Sequence, residues 1–212
     1  MSRILTVAVL VSGEGTTLDA LAEQASGGHL PVRIALVVAD RPHAPAIEKA
    51  RRRGLATLVL PSRGVPADDW GRRLSDELTG KGVELVVNAG FLTILPPNWV
   101  AAWRGRAINV HPSLLPLHGG RGLYGMRVHE AVLAAGERVT GATVHVVTDD
   151  LDRGPTIAQE RIDVLPDDTP ASLRARLHPV EVELLAATLR RFADGALPLP
   201  YSVPSATRAK RP

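Results

Sequence analysis

An α/β protein with a mostly parallel sheet and helices on both faces is what this sequence predicts. Short apolar runs alternate with amphipathic stretches through the first half of the chain. The runs are rich in Val, Leu and Ile with little polar alternation, as strands covered on both faces are. A glycine-bearing turn, Ser12-Gly13-Glu14-Gly15-Thr16-Thr17, joins the first run to the first amphipathic stretch.

Taken in order, Ile4 to Val11 reads as a buried strand and Leu18 to about Gln24 as the helix after the glycine turn. Val32 to Ala39 is the next strand, Ala46 to Arg53 a short helix, Ala56 to Leu60 a third strand and Asp68 to Thr79 a helix. Leu85 to Ala89 is the fourth strand. Such alternation implies right-handed crossovers onto a parallel, Rossmann-like sheet. Ala107 to Val110, Thr143 to Thr148 and Thr156 to Val164 read as later strands. A final helix spans Pro170 to Ala193, where Asp194-Gly195 supplies the stop. No internal repeat or low-complexity linker interrupts the pattern, so residues 1–200 are expected to form a single domain. Its first half, 1–100, carries the candidate phosphate loop, and 201–212 form a basic tail.

The 212 residues are 45% hydrophobic and 22% charged, an ordinary balance for a folded chain, and only 3% aromatic, so the core is expected to be mostly aliphatic. The absence of Cys excludes disulfides, zinc-thiolate sites, iron–sulfur clusters and cysteine nucleophiles. A net charge of +3 comes from 22 Arg and 3 Lys spread along the chain. Nucleic-acid binding calls for a clustered basic face with interleaved aromatics, and neither pattern occurs. The first apolar run is too short for a signal peptide or a membrane span. A cytoplasmic protein acting on small molecules, with no nucleic-acid or membrane partner, is the expectation. A homodimer is compatible with it.

Three constellations carry candidate chemistry. The Gly13-Glu14-Gly15-Thr16-Thr17 turn lets backbone N–H groups approach an anion at a helix N-terminus, or is simply a tight strand–helix turn. Leu18 stands where a dinucleotide fingerprint has a small residue, and no Lys-Ser/Thr pair marks a nucleotide P-loop, so a small phosphate-bearing substrate fits better. Glu14 must then point outward. Asn109 and His111, two apart at a strand's end, face the same way: a hydrogen-bond donor beside a general acid or base, or a polar strand end. Asp149, Asp150 and Asp152 follow a later strand. They read as a hard-metal site, a solvated turn, or the source of one carboxylate that orients an imidazole. No matching cluster accompanies them and His129-Glu130 lacks a second zincin histidine, so no metal is expected.

Read together, Ser12-Gly13-x-Gly15-Thr16, Ala89-Gly90-Phe91, Asn109-x-His111-Pro112-Ser113-Leu114-Leu115-Pro116 and Thr148-Asp149-Asp150-Leu151-Asp152-x-Gly154-Pro155 resemble, in order, the folate-dependent formyltransferase family. The resemblance covers roughly Ile4 to Gly195, and the stretch Gly119 to Val132 is similar to a variant within the family. It implies the formyltransferase fold and a catalytic trio of Asn109, His111 and Asp152. It also implies formyl transfer from the co-substrate 10-formyltetrahydrofolate to the amine of glycinamide ribonucleotide, in de novo purine biosynthesis. The ribonucleotide's phosphate would lie on Gly15, Thr16 and Thr17, and its amine end near Glu181. Folate would pack on Leu92, Thr93, Ile94 and Leu95, beside Asn109, and against Thr148, Asp149 and Asp150 in the 101–200 half.

The chain departs from the family pattern at several of these places. Thr17 stands where members usually have Asn, Leu92-Thr93 where they have Met-Arg, Ala67 where a folate-contacting arginine aligns, and Val182 where a histidine is common. A 10-formyltetrahydrofolate hydrolase or a sugar-amine N-formyltransferase of the same core is the enzyme alternative. The added domains of the hydrolase and of the methionyl-tRNA formyltransferase are not expected from these 212 residues. A non-catalytic phosphate- or nucleotide-binding module is the alternative outside enzymes.

Overall fold

The computed structural model describes residues 3–202. The basic tail therefore lies outside the described residues, apart from its first two. The element order is β1 (Leu5–Val11), α1 (Thr16–Ser26), β2 (Val32–Ala39), α2 (Pro45–Arg52), β3 (Thr57–Val59), α3 (Ala67–Gly80), β4 (Leu85–Asn88), α4 (Pro97–Ala102), β5 (Ala107–His111), α5 (Met126–Ala134), β6 (Val139–Val146), β7 (Thr156–Asp163) and α6 (Pro170–Ala193).

One seven-stranded sheet runs in the order β3-β2-β1-β4-β5-β6-β7. The first five strands are parallel, and β6 and β7 add antiparallel. Every residue of the interior strand β1 is buried, and alternate side chains serve opposite layers. Val7, Val9 and Val11 pack with Leu18, Leu21, Leu185, Leu189 and Phe192, the inner faces of α1 and α6. Ala8 and Leu10 pack with Trp70, Leu74, Leu78, Trp99 and Trp103 of α3 and α4. The few aromatic residues are therefore concentrated: all three Trp sit on one face, Trp99 stacked on Trp103.

Helix α6 begins where its sequence says. Thr169 Oγ1 accepts from Ser172 N, and Ser172 Oγ accepts from Thr169 N, a reciprocal cap with Ser in place of the usual Glu or Gln. The helix continues past Pro179, which removes one backbone donor midway. Arg174, His178 and Glu181, spaced four and three apart, share one face of it. Among the described residues no helix is long and apolar enough to cross a membrane.

Two helices escaped the sequence pattern. Helix α4 is only six residues long, and α5 follows a glycine-rich stretch that breaks its periodicity. Strand β6 starts at Val139 and ends at Val146, four residues earlier and two residues earlier than the apolar run suggests. Its early part pairs with β7, a partner that hydropathy does not reveal.

Candidate active site

The carboxyl end of the parallel strands carries the candidate chemistry, as open α/β sheets arrange it. Asn109 and His111 project from β5 on the same side, and both line a cavity of about 300 Å³. Asn109 pairs across the antiparallel β5–β6 ladder with His145, and Asn109 Nδ2 donates to His145 Nε2 at 3.0 Å. His145 Nδ1 in turn lies 3.0 Å from the Val146 carbonyl, an acceptor only, so Nδ1 carries the proton and Nε2 is free to accept. That chain of donors fixes which end of the Asn109 amide faces β6, and leaves its second N–H for the cavity.

Asp152 completes the group from the segment after β6. It sits at φ 55, a left-handed position that Asp tolerates better than most residues. Its Oδ2 accepts from Gly120 N at 2.9 Å and lies 3.7 Å from His111 Nδ1, while Oδ1 lies 3.5 Å from His145 Nε2. Gly154 permits this return, because a Cβ there would stand 1.8 Å from the Val146 carbonyl oxygen. The structure thus brings Asn109, His111 and Asp152 together, and adds His145, which the sequence reading did not include. The polar side chains of Thr143 and His145, alternating with Val144 and Val146, were the available signal.

The electrostatics oppose one another. Burial pushes the His111 imidazole below its ordinary value, against the pull of Asp152 and the His118 carbonyl. Burial alone would raise the Asp152 carboxyl, but His111 and the Gly120 N–H together hold it below the usual carboxylate range. Asp149 and Asp150 are exposed, with Thr148 Oγ1 donating to the Asp150 carbonyl to shape the turn.

The wall expected for folate is Leu92, Thr93, Ile94 and Leu95, and all four line the same cavity as Asn109, His111, Thr148, Asp149 and Asp152, whereas Asp150 is not on its wall. Leu92 and Ile94 are exposed, Leu95 is buried. The Thr93 hydroxyl is engaged elsewhere: it donates to buried Asp40 at 2.7 Å and meets Ser62 Oγ at 3.2 Å. Arg121, on the glycine-rich stretch before α5, is an exposed cation on the rim that sequence reasoning left unassigned.

A second cavity, about 280 Å³, adjoins the first across Gly90, Leu92, Val110, Pro112, Tyr124 and Gly125, which line both. It contains Gly13, Gly15, Thr16, Thr17 and Glu181, so the two stretches expected to hold one substrate do face one space. No side chain caps α1. Glu14 points outward, 66% exposed, and Lys49 Nζ donates to its carbonyl at 2.7 Å. Gly15 also has a structural task. It caps α1 at φ 66, and a Cβ there would stand 2.5 Å from the Ala46 Cβ of α2. Arg41, Arg174, His129 and His178 also line this cavity and were missed. Burial raises the Glu181 carboxyl to about 7, opposed by Arg174.

The chain is similar to known proteins over most of its length. The chain is 37% identical over 187 residues to a chloroplastic phosphoribosylglycinamide formyltransferase of Arabidopsis thaliana, covering 85% of this chain and 64% of that protein, so it spans less than two thirds of that relative. It is 32% identical over 194 residues to the phosphoribosylglycinamide formyltransferase of Escherichia coli, covering 91% of this chain and 89% of that one. The crystal structure of glycinamide ribonucleotide transformylase 1 from Symbiobacterium toebii superposes with a TM-score of 0.86 at 34% identity, over 92% of this chain and 91% of that one. The formyl transferase family model matches residues 5–189, and the chain belongs to that family.

Proposed function

We propose that the paired cavities transfer a formyl group from 10-formyltetrahydrofolate to the primary amine of glycinamide ribonucleotide, a step of de novo purine biosynthesis, and that residues 1–200 act as one unit in doing so. One observation carries the reading: a donor, an imidazole and a carboxylate converge in a cavity that opens into a second cavity containing an uncapped helix N-terminus. The first suits a folate, with an apolar wall from Leu92 to Leu95. The second suits a ribonucleotide, with backbone N–H groups of Gly15, Thr16 and Thr17 for its phosphate and the Glu181 carboxylate for its amine end. Arg121 is suited to the anionic glutamyl end of the folate.

In this reading the amine attacks the formyl carbon, the C–N bond forms and the formyl oxygen takes up negative charge. The free N–H of Asn109 donates to that oxygen, and protonated His111, held against Asp152, supplies positive charge beside it. Collapse breaks the bond to the folate nitrogen, which gains the proton that the attacking amine loses. Asp152 keeps His111 oriented and favours its charged form against the effect of burial. An oxyanion donor of this kind is worth about 3–4 kcal/mol in the transition state.

The test is an acceptor panel with 10-formyltetrahydrofolate. Glycinamide ribonucleotide should be formylated far faster than an amino sugar or water. Preference for the amino sugar would reassign the acceptor, and turnover with water alone would make the protein a hydrolase.

A further inference from the structure

His118 and Glu137 lie outside the trio, yet their geometry leads directly to His111. His111 Nε2 sits 2.9 Å from the backbone carbonyl of His118. A carbonyl only accepts, so Nε2 must carry a proton, and Nδ1 is left facing the Asp152 carboxylate at 3.7 Å. Both ring nitrogens of a buried histidine, 5% exposed, therefore face acceptors. The carbonyl is delivered by an unusual backbone: His118 adopts φ 52, one of two non-glycine residues with positive φ among the described residues. Such a conformation persists where the surroundings hold it. The holding contact is the side chain of His118 itself, whose Nε2 meets Glu137 Oε1 at 3.0 Å, on the turn between α5 and β6. The fully buried Ser113 adds a second hold, its Oγ donating to the Leu117 carbonyl at 2.6 Å.

We propose that His118 and Glu137 are positioning residues for His111: the Glu137–His118 contact fixes the His118 carbonyl, which locks the His111 ring with its Nε2 proton in place and its Nδ1 toward Asp152. The other groups that bear on this imidazole are His145 from β6, His129 from α5 and the His118 side chain. None of them offers Nε2 an acceptor in place of that carbonyl. The carbonyl favours every form of the ring that keeps the Nε2 proton, the imidazolium included, and so works with Asp152 against burial.

The assignment rests on the proposed function only for its kinetic arm. The other arm is ring nitrogen NMR, with the His111 signals assigned by their loss in His111→Gln. In the parent protein at neutral pH, Nε2 should carry the proton. In Glu137→Ala the tautomers should mix and the titration should move to lower pH. Turnover with 10-formyltetrahydrofolate and glycinamide ribonucleotide should fall about tenfold, with Michaelis constants within about twofold, as expected for lost orientation. Glu137→Gln keeps an acceptor oxygen and should restore the parent tautomer. His118→Gly keeps the carbonyl, suits the positive φ and lacks only the tether, so it should reproduce Glu137→Ala in a chain that folds readily. An unmixed Nε2 tautomer and an unmoved titration in both Glu137→Ala and His118→Gly would overturn the assignment, whatever happened to turnover. Altered NMR with no formyl transfer in the parent would instead leave the positioning intact and reject the proposed reaction.

Discussion

Asp152 and His129 show how burial and charge set the chemistry of single side chains here. Asp152 is held ionised by His111 and a backbone N–H, and pulls the His111 imidazole upward against burial. Asp152→Asn keeps the shape but removes the charge, so the His111 titration should move to lower pH and turnover should fall at least tenfold, read by imidazole NMR and a pH–rate profile. An unchanged titration would mean the carboxylate is not its electrostatic partner. His129 is 2% exposed, and burial first, then Arg174 and His111, lower its imidazole from 6.5 to about 4. The unfolded chain then binds more protons than the folded one between those values. Stability is full above pH 6.5 and is lost as the pH falls toward 4. The loss from this residue is about 2 kcal/mol by pH 5. Urea denaturation of His129→Gln should show a flatter decline between pH 6.5 and 5 than the parent, and equal slopes would refute the linkage. Glu181 behaves oppositely: its carboxyl, raised to about 7, ionises only as the pH climbs through neutrality. The acceptor's KM should therefore fall over that interval, and the dependence should vanish in Glu181→Gln.

Loops and strand ends, more than helices, decide what the cleft can hold. The turn before α1 contains two glycines with different duties. Gly13 has open space where its Cβ would be, whereas Gly15 abuts Ala46 of α2 and has φ 66. Gly13→Ala should fold normally and raise the acceptor's KM by about tenfold by intruding on the phosphate's approach, while Gly15→Val should damage folding itself. Thermal melts and steady-state kinetics separate the two, and a stable Gly15→Val would refute the packing role. The same contrast shows what could be read beforehand. Strands β1, β2 and β4 were legible because burial on both faces leaves unbroken apolar runs, and α6 because its cap and stop are local signals. The early half of β6 was not, since Val139 is exposed and its pairing is with the edge strand β7. Asn109, His111 and Asp152 were legible from spacing and family resemblance together. His145 reaches Asn109 only through the ladder register, and Lys49 reaches Glu14 only through the packing of α2 on the turn, which are tertiary facts.

The two cavities draw on both halves of the chain, so the sheet is the device that makes one cleft of them. Residues 12–17 and 89–92 come from the first half, and 109–125 and 174–181 from the second. The network behind β5 keeps them in register. Thr143 Oγ1 donates to the Ser113 carbonyl at 2.6 Å and accepts from Leu115 N at 3.0 Å, and Gln159 of β7 donates to the same hydroxyl and to the Leu115 carbonyl. The antiparallel pair β6–β7 thereby anchors the loop that carries Pro112 to His118, and so orients the face on which Asn109 and His111 stand. Tyr124, 44% exposed and with the Arg127 guanidinium 5.1 Å from its ring, stands where the two cavities meet. In the proposed reaction the oxyanion donor Asn109 stands on the wall of the first cavity, next in sequence to Val110, which lines both. The decisive experiment is the turnover of Asn109→Ala with 10-formyltetrahydrofolate and glycinamide ribonucleotide, in protein whose melting temperature matches the parent's. Loss of the donor should lower kcat by about a hundredfold or more with both Michaelis constants nearly unchanged. A kcat within a few fold of the parent's would contradict the reaction proposed for this cleft.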